Sequence, residues 1–241
     1  MACIAFTNAY AQSDSLRLIW EDETKLDSTR FNAINAFYIK NTFTYPDSIS
    51  VLTKYHYALA QQKQSQDEMA RALTERSFTS LILGEPDSAM VLLKEALAIR
   101  KDIKDDIGVA RINVNIGNIY RDKSDYQNAM RLYTLSLGAL EENNRYALMA
   151  DVLNNLGLIY YDIGMYDFAL DYLNQAMKLY EQENMKEKNG NIWLNLGAIY
   201  FLQGDLEKAK KHLNKACKIL EASNNLWSLS DYHHQMALLY E

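Results

Sequence analysis

The sequence predicts an all-α chain, a right-handed superhelix of antiparallel helix hairpins, on three observations. The hexads Asn115-Ile116-Gly117-Asn118-Ile119-Tyr120, Asn155-Leu156-Gly157-Leu158-Ile159-Tyr160 and Asn195-Leu196-Gly197-Ala198-Ile199-Tyr200 are one pattern. Each begins forty residues after the last, and Gln235-Met236-Ala237-Leu238-Leu239-Tyr240 is a weaker fourth copy. Self-similarity at a fixed period marks an array whose units bury their apolar faces against each other. The second observation is helical periodicity: apolar residues recur at i, i+3, i+4 and i+7 through 106–123, 126–143, 146–163, 166–183, 186–203 and 206–223. The third is the brevity of the breaks, which hold Ser124-Asp125, Asn143-Asn144-Arg145, Gly164-Met165 and Gly204-Asp205. These residues favour turns, and connections so short force antiparallel neighbours.

Composition agrees with this. A chain of 241 residues that is 49% apolar can bury a sizeable core, and two prolines with nine glycines are too few for a sheet-rich fold. The net charge of −6 argues against nucleic-acid or anionic-membrane partners, which need a basic face. No run of eighteen apolar residues is present to span a bilayer. Cys3 and Cys217 have no metal-ligand spacing, so neither a structural disulfide nor a metal or other cofactor is expected.

In chain order, residues 1–11 are uncharged, and Ala9-Tyr10-Ala11 before Gln12-Ser13-Asp14 reads as a signal-peptidase site closing a short apolar segment, although a positive n-region is missing. The expected location is the periplasm or cell envelope if this is a signal-peptide remnant, and the cytoplasm otherwise. Residues 12–65 read as an N-terminal cap helix and a degenerate first repeat. Pro46-Asp47-Ser48 precedes Pro86-Asp87-Ser88 by forty residues, and Val51-Leu52 matches Val91-Leu92. Residues 66–241 hold the regular repeats, the last incomplete.

Small residues form columns through these repeats: Ala89, Ala129, Ala169 and Ala209; then Ala96, Ser136, Ala176 and Ala216; then Gly84, Ser124, Gly164 and Gly204 at a turn. Gly117, Gly157 and Gly197 lie in helix interiors, where glycine costs roughly 1 kcal/mol relative to alanine. A partner helix crossing closely would justify that cost. Tyr120, Tyr160 and Tyr200 are expected to fill the space between hairpins, with their hydroxyls at a polar edge.

Leu/Ile-Gly, a tyrosine three residues on, an alanine nine further and a small residue seven beyond that resemble the tetratricopeptide repeat. The usual unit is shorter, and a forty-residue unit is similar to the kinesin-light-chain and bacterial sensor subgroup. The resemblance covers 66–241 and weakens over 27–65. Trp193 occupies the family's tryptophan column in one repeat only, and the usual late proline is missing. Leu16-Arg17-Leu18-Ile19-Trp20-Glu21-Asp22-Glu23, Asp27-Ser28-Thr29-Arg30 and Ala33-Ile34-Asn35 resemble the start of exported repeat regions of Bacteroidetes-type signalling proteins. There the output is a cyclase, a histidine kinase or a DNA-binding domain.

The resemblance implies a concave groove lined by the first helix of each unit, with the residue before Leu/Ile-Gly facing it. That column reads Asn115, Asn155, Asn195 and Gln235. An amide ladder offers donors and acceptors to the backbone of an extended peptide. Arg111, Asp151 and Asn191 lie one turn earlier on the same face and could read ligand side chains. The alternative is that the amides only brace neighbouring helices. The mixed Arg/Asp/Asn set lacks the basic cluster that would clamp a C-terminal carboxylate.

No catalytic constellation is present, so the chain is not expected to be an enzyme; a cyclase or kinase site would have to lie beyond Glu241. His233 and His234 are adjacent and point to different faces, a poor metal pair; His56 and His212 read as isolated side chains that are packed or solvated. Lys208, Lys210, Lys211, Lys215 and Lys218 read as a solvated face, and Asp105-Asp106 and Glu141-Glu142 as solvated helix ends. Residues 226–241 read as a first helix whose apolar residues Met236, Ala237, Leu239 and Tyr240 lack a second helix to cover them. The expectation is a fragment of a longer protein, or a partner over that face. Three functions follow: a peptide- or protein-binding scaffold that is the sensing or interaction region of a larger bacterial signalling protein; a self-associating scaffold that brings output domains together through the final helix; or part of an enzyme whose catalytic domain lies beyond Glu241.

Overall fold

The computed structural model describes residues 15–223 and 226–240, so the expected signal-peptide segment and Cys3 lie outside the described residues. Residues 15–21 form helix α1. There follow α2 (Asp27–Asn41), α3 (Pro46–Gln62), α4 (Gln66–Ile82), α5 (Pro86–Asp102), α6 (Asp106–Asp122) and α7 (Tyr126–Glu142). Then come α8 (Tyr146–Asp162), α9 (Tyr166–Gln182), a 3-10 turn (Lys186–Lys188), α10 (Asn189–Leu202), α11 (Leu206–Ala222) and α12 (Leu226–Tyr240). No strand occurs among the described residues, and the architecture is a helical repeat solenoid of the tetratricopeptide type. Two compact units divide the chain after Ile119.

The connections repeat every twenty residues with one backbone device. Gln64, Gly84, Lys104, Ser124, Asn144, Gly164, Asn184 and Gly204 all have positive φ, between 51° and 79°. In each case this residue's N–H reaches back three residues and the next N–H reaches back five. Gly84 bonds to Leu81 O at 3.0 Å and Glu85 to Ser80 O at 2.8 Å, for example. This is the Schellman termination, which satisfies carbonyls that the helix end would leave orphaned. The next residue can then open the following helix: Ser65, Asp125 and Asp205 accept from the backbone N–H groups of Glu68, Asn128 and Lys208. Asp105, expected to be merely solvated, accepts from Gly108 N at 2.8 Å and pairs with Arg100 at 3.0 Å. At Ser124 a side chain holds a left-handed conformation that its Cβ disfavours. Ser124→Gly is therefore expected to raise stability by about 0.5–1 kcal/mol after glycine's own entropy cost. Urea unfolding would check this, and a loss of stability would count against the backbone assignment.

In the first unit, Trp20, Phe31, Ile34, Ile49, Leu52 and Leu59 form a core around α2 and α3. Buried Arg30 donates from Nε to Trp20 O at 2.8 Å and so ties the end of α1 to α2. In the second unit, Leu194, Leu213, Ala216 and Leu220 form a core between α10 and α11. Leu229, Tyr232, Met236 and Leu239 of α12 pack against it. Met236 and Leu239 are thus partly covered by the preceding hairpin, because i, i+3 spacing aims them at α10 and α11. Ala237, expected on the same face, is exposed; the side chain of Tyr240 lies outside the described residues.

Both alanine columns are fully buried. A Cβ on Gly157 would stand 3.0 Å from Leu173 Cγ, and one on Gly197 would stand 2.6 Å from Leu213 Cδ2. Glycine on the first helix and alanine on the second therefore let the two backbones approach. Two of the three column tyrosines stack within their own hairpins. Tyr160 stacks on Phe168 and Tyr172 of α9 at 5.4 and 5.2 Å, and Tyr200 stacks on His212 of α11 at 5.0 Å. The reason is proximity: with the helices so close at the glycine, a ring one turn on falls over the second helix of its own hairpin. Finally, α10 begins at Asn189 rather than 186, because Lys186–Lys188 tightens into the 3-10 form common at helix starts.

Candidate functional site

The site residues expected from sequence fall in both units. In the first, α6 carries Arg111, which is exposed, and Asn115, which is half-buried. In the second, α8 carries Asp151 and Asn155, α10 carries Asn191 and Asn195, and α12 carries Gln235.

The second unit brings Asp151 and Asn191 to one cavity of about 480 Å³, lined also by Asn154, Tyr180, Glu187, Lys188, Ile192, Leu220 and Ser223. Helices α8 and α10 supply one wall, the ends of α9 and α11 another, and the 3-10 turn the rim. Asp151 is its electrostatic centre. The Tyr180 hydroxyl donates to Asp151 Oδ1 at 2.5 Å, and the Lys188 ammonium donates to the same oxygen at 3.2 Å. Burial, followed by the bond to Asp151 and its charge, pushes the Tyr180 phenol far above its ordinary value, so it remains a donor. Lys188 Nζ also lies 5.7 Å from the centre of the Tyr180 ring.

Beside this group, Asn195 Nδ2 donates to Asn154 Oδ1 at 3.2 Å. Asn195 thus braces against a side chain of α8, which joins the two helices. The bond uses one half of each amide. Asn195 Oδ1 and Asn154 Nδ2 remain without a protein partner among the described residues, as does the Asn191 amide. Gln235 is half-buried, and its Oε1 is buried without a partner among the described residues.

Asn154 was not expected, because its forty-residue column reads Val114, Asn154, Leu194 and shows no pattern. Tyr180 and Lys188 were missed because they come from other elements. Asn35 and Glu75, forty residues apart and ahead of Asn115, belong to the amide column and were legible in principle. Both amide atoms of Asn35 are buried without partners among the described residues, whereas Glu75 is committed to His56.

His56 and His212 are both packed, and His56 has ionic partners that the sequence did not disclose. His56 is fully buried, with Nε2 3.0 Å from Glu68 and Nδ1 2.9 Å from Glu75. His212 stacks between Trp193 and Tyr200, and burial together with Lys215, Lys211 and Lys208 lowers its pKa. The lysine face is engaged in part: Lys215 Nζ lies 4.1 Å from the Trp193 ring centre and Lys208 pairs with Asp205 at 2.8 Å. Among the described residues, no three His, Cys, Asp or Glu side chains gather in a metal-binding group, and no helix is long and apolar enough to cross a membrane.

The family model described as tetratricopeptide repeat matches residues 108–182 and 148–222. Similar solved structures include BtubC (BKLC) from P. vanneervenii, with a TM-score of 0.67 and 22% identity over 90% of each chain. The quorum sensor NprR from B. thuringiensis, in its apo form, has a TM-score of 0.69 and 16% identity over 99% of this chain and 67% of that one. A Rap protein complexed with Competence and Sporulation Factor has a TM-score of 0.66 and 13% identity over 98% of this chain and 71% of that one. Identities this low show a shared fold alone. No curated protein sequence matches.

Proposed function

We propose that this chain, whose residues 108–222 are matched as tetratricopeptide repeats, is a non-enzymatic scaffold that holds an extended peptide or protein segment against the first helices of its repeats. The observation that carries this reading is the open half of the Asn154–Asn195 pair beside the cavity. One amide oxygen and one amide N–H are fixed in place, close to the free Asn191 amide, and together they suit the alternating donors and acceptors of a peptide backbone. The neighbours add support by kind, since one is a quorum sensor and another was solved with a bound factor. On the same footing, the scaffold is the sensing or interaction region of a bacterial signalling protein.

The test uses peptides selected on the full chain from a random heptapeptide display library. Replacing Asn155 and Asn195 by alanine is expected to weaken their binding at least tenfold while the melting temperature shifts little. Unchanged affinity would leave the amides as bracing alone.

A further inference from the structure

We infer that the cavity of the second unit is a receptor for one basic side chain, arginine or lysine, of the bound segment, which takes the place now held by the Lys188 ammonium. The inference rests on the peptide-binding reading above and adds a specificity to it.

The cavity already holds a cation. Lys188 Nζ is gripped by Asp151 Oδ1 at 3.2 Å and lies 5.7 Å from the Tyr180 ring centre, so a carboxylate and an aromatic ring together form the seat. Tyr180 donates to that carboxylate at 2.5 Å and fixes its orientation, leaving Asp151 Oδ2 for a second donor. A planar guanidinium presents two parallel donors in a fixed fork that matches a carboxylate, whereas an ammonium meets it as a point charge.

Lys188 is a replaceable occupant. Its side chain is 41% exposed and Asp151 is 38% exposed, and ion pairs of that exposure are weak. It is also carried by the short 3-10 turn rather than by a helix, so its long stem can swing its ammonium into solvent. Charge favours an incoming cation as well. Glu187 lines the same cavity and has no ion pair among the described residues, which leaves two carboxylates against one ammonium. Buried Ile192 and Leu220 provide apolar surface for the methylene stem. An acidic side chain would face two carboxylates, and an aliphatic one would leave the polar lining without partners.

The heptapeptide library would be panned on the parent, and the selected peptides resynthesised with each basic residue replaced by norleucine. Selected peptides are expected to share an arginine or lysine at one position, whose replacement weakens binding to the parent at least tenfold. Asp151→Asn should erase that discrimination, and Lys188→Met should tighten binding of the basic peptide several-fold. Absence of a shared basic residue, a norleucine effect below twofold, or full discrimination in Asp151→Asn would overturn the inference. Peptides that lack a basic preference yet depend on Asn155 and Asn195 would overturn it while leaving the peptide-binding reading in place. Peptides that depend on neither amide would overturn both.

Discussion

His56→Leu is expected to destabilise the first unit by about 3–5 kcal/mol, the cost of leaving buried charges without their partner. His56 is 0% exposed, and both ring nitrogens point at carboxylate oxygens, Glu68 at 3.0 Å and Glu75 at 2.9 Å. Carboxylates only accept, so the ring that satisfies both is the imidazolium, with two donors. Burial works against that charge, but the hydrogen bonds and charges of Glu68 and Glu75 outweigh it and raise the histidine's pKa. Leucine would strand both carboxylates, with Arg71 Nε, 3.6 Å from Glu68, as the nearest remaining cation. Adding Glu68→Met and Glu75→Leu to His56→Leu should recover most of the loss, since an apolar replacement of a whole buried ionic group is often neutral. The pH dependence follows from the raised pKa. The imidazolium's contribution is fully present below the ordinary histidine value near 6.5 and is lost as pH rises through the higher folded value. Urea unfolding across that interval should show the parent falling relative to His56→Leu; parallel curves would remove the charged triad from the account.

The position of His56 also shows what the sequence could disclose. Forty residues on from His56 stands Ala96, followed by Ser136, Ala176 and Ala216, all of them fully buried. A histidine in that column was bound to be buried and so to need partners, but the partners could not be read. Glu75 occupies a column of amides, and Glu68 a column with no pattern. The same logic holds at Tyr180, whose column has Leu140 before it and Leu220 after it. The tyrosine fills a leucine's place and its hydroxyl must find an acceptor, which the fold supplies as Asp151. Arg100, earlier in this column, pairs with Asp67 and Asp105 instead. Columns that repeat carried the packing, the glycine and alanine contact and the turns, because every unit meets the same neighbours. At His56 and Tyr180 a residue that departs from its column brings in a buried polar group, and its partners are set by tertiary contact alone.

Gly197→Ala should destabilise the α10–α11 hairpin by about 1–3 kcal/mol, although alanine is the better helix former by roughly 1 kcal/mol. The added methyl would stand 2.6 Å from Leu213 Cδ2, 2.7 Å from its Cγ and 3.5 Å from the Ala209 carbonyl oxygen. Leu213 is 1% exposed, so it can yield only by pushing on the Leu194–Leu220 core or by driving the helices apart. Gly138 is the internal control. It too lies inside a helix, α7, but a Cβ there meets nothing within 4 Å. Gly138→Ala should therefore express propensity alone and stabilise by about 1 kcal/mol. The opposite signs separate close approach from backbone preference. A double-mutant cycle then isolates the contact. Leu213→Ala alone should cost about 3–5 kcal/mol through the cavity it leaves, while with Gly197→Ala the new methyl occupies part of that space. The double variant should lose less than the sum of the singles, as measured by urea unfolding. Strict additivity would mean that the glycine column does not mark helix contact, and the physical reading of the forty-residue repeat would have to be rebuilt.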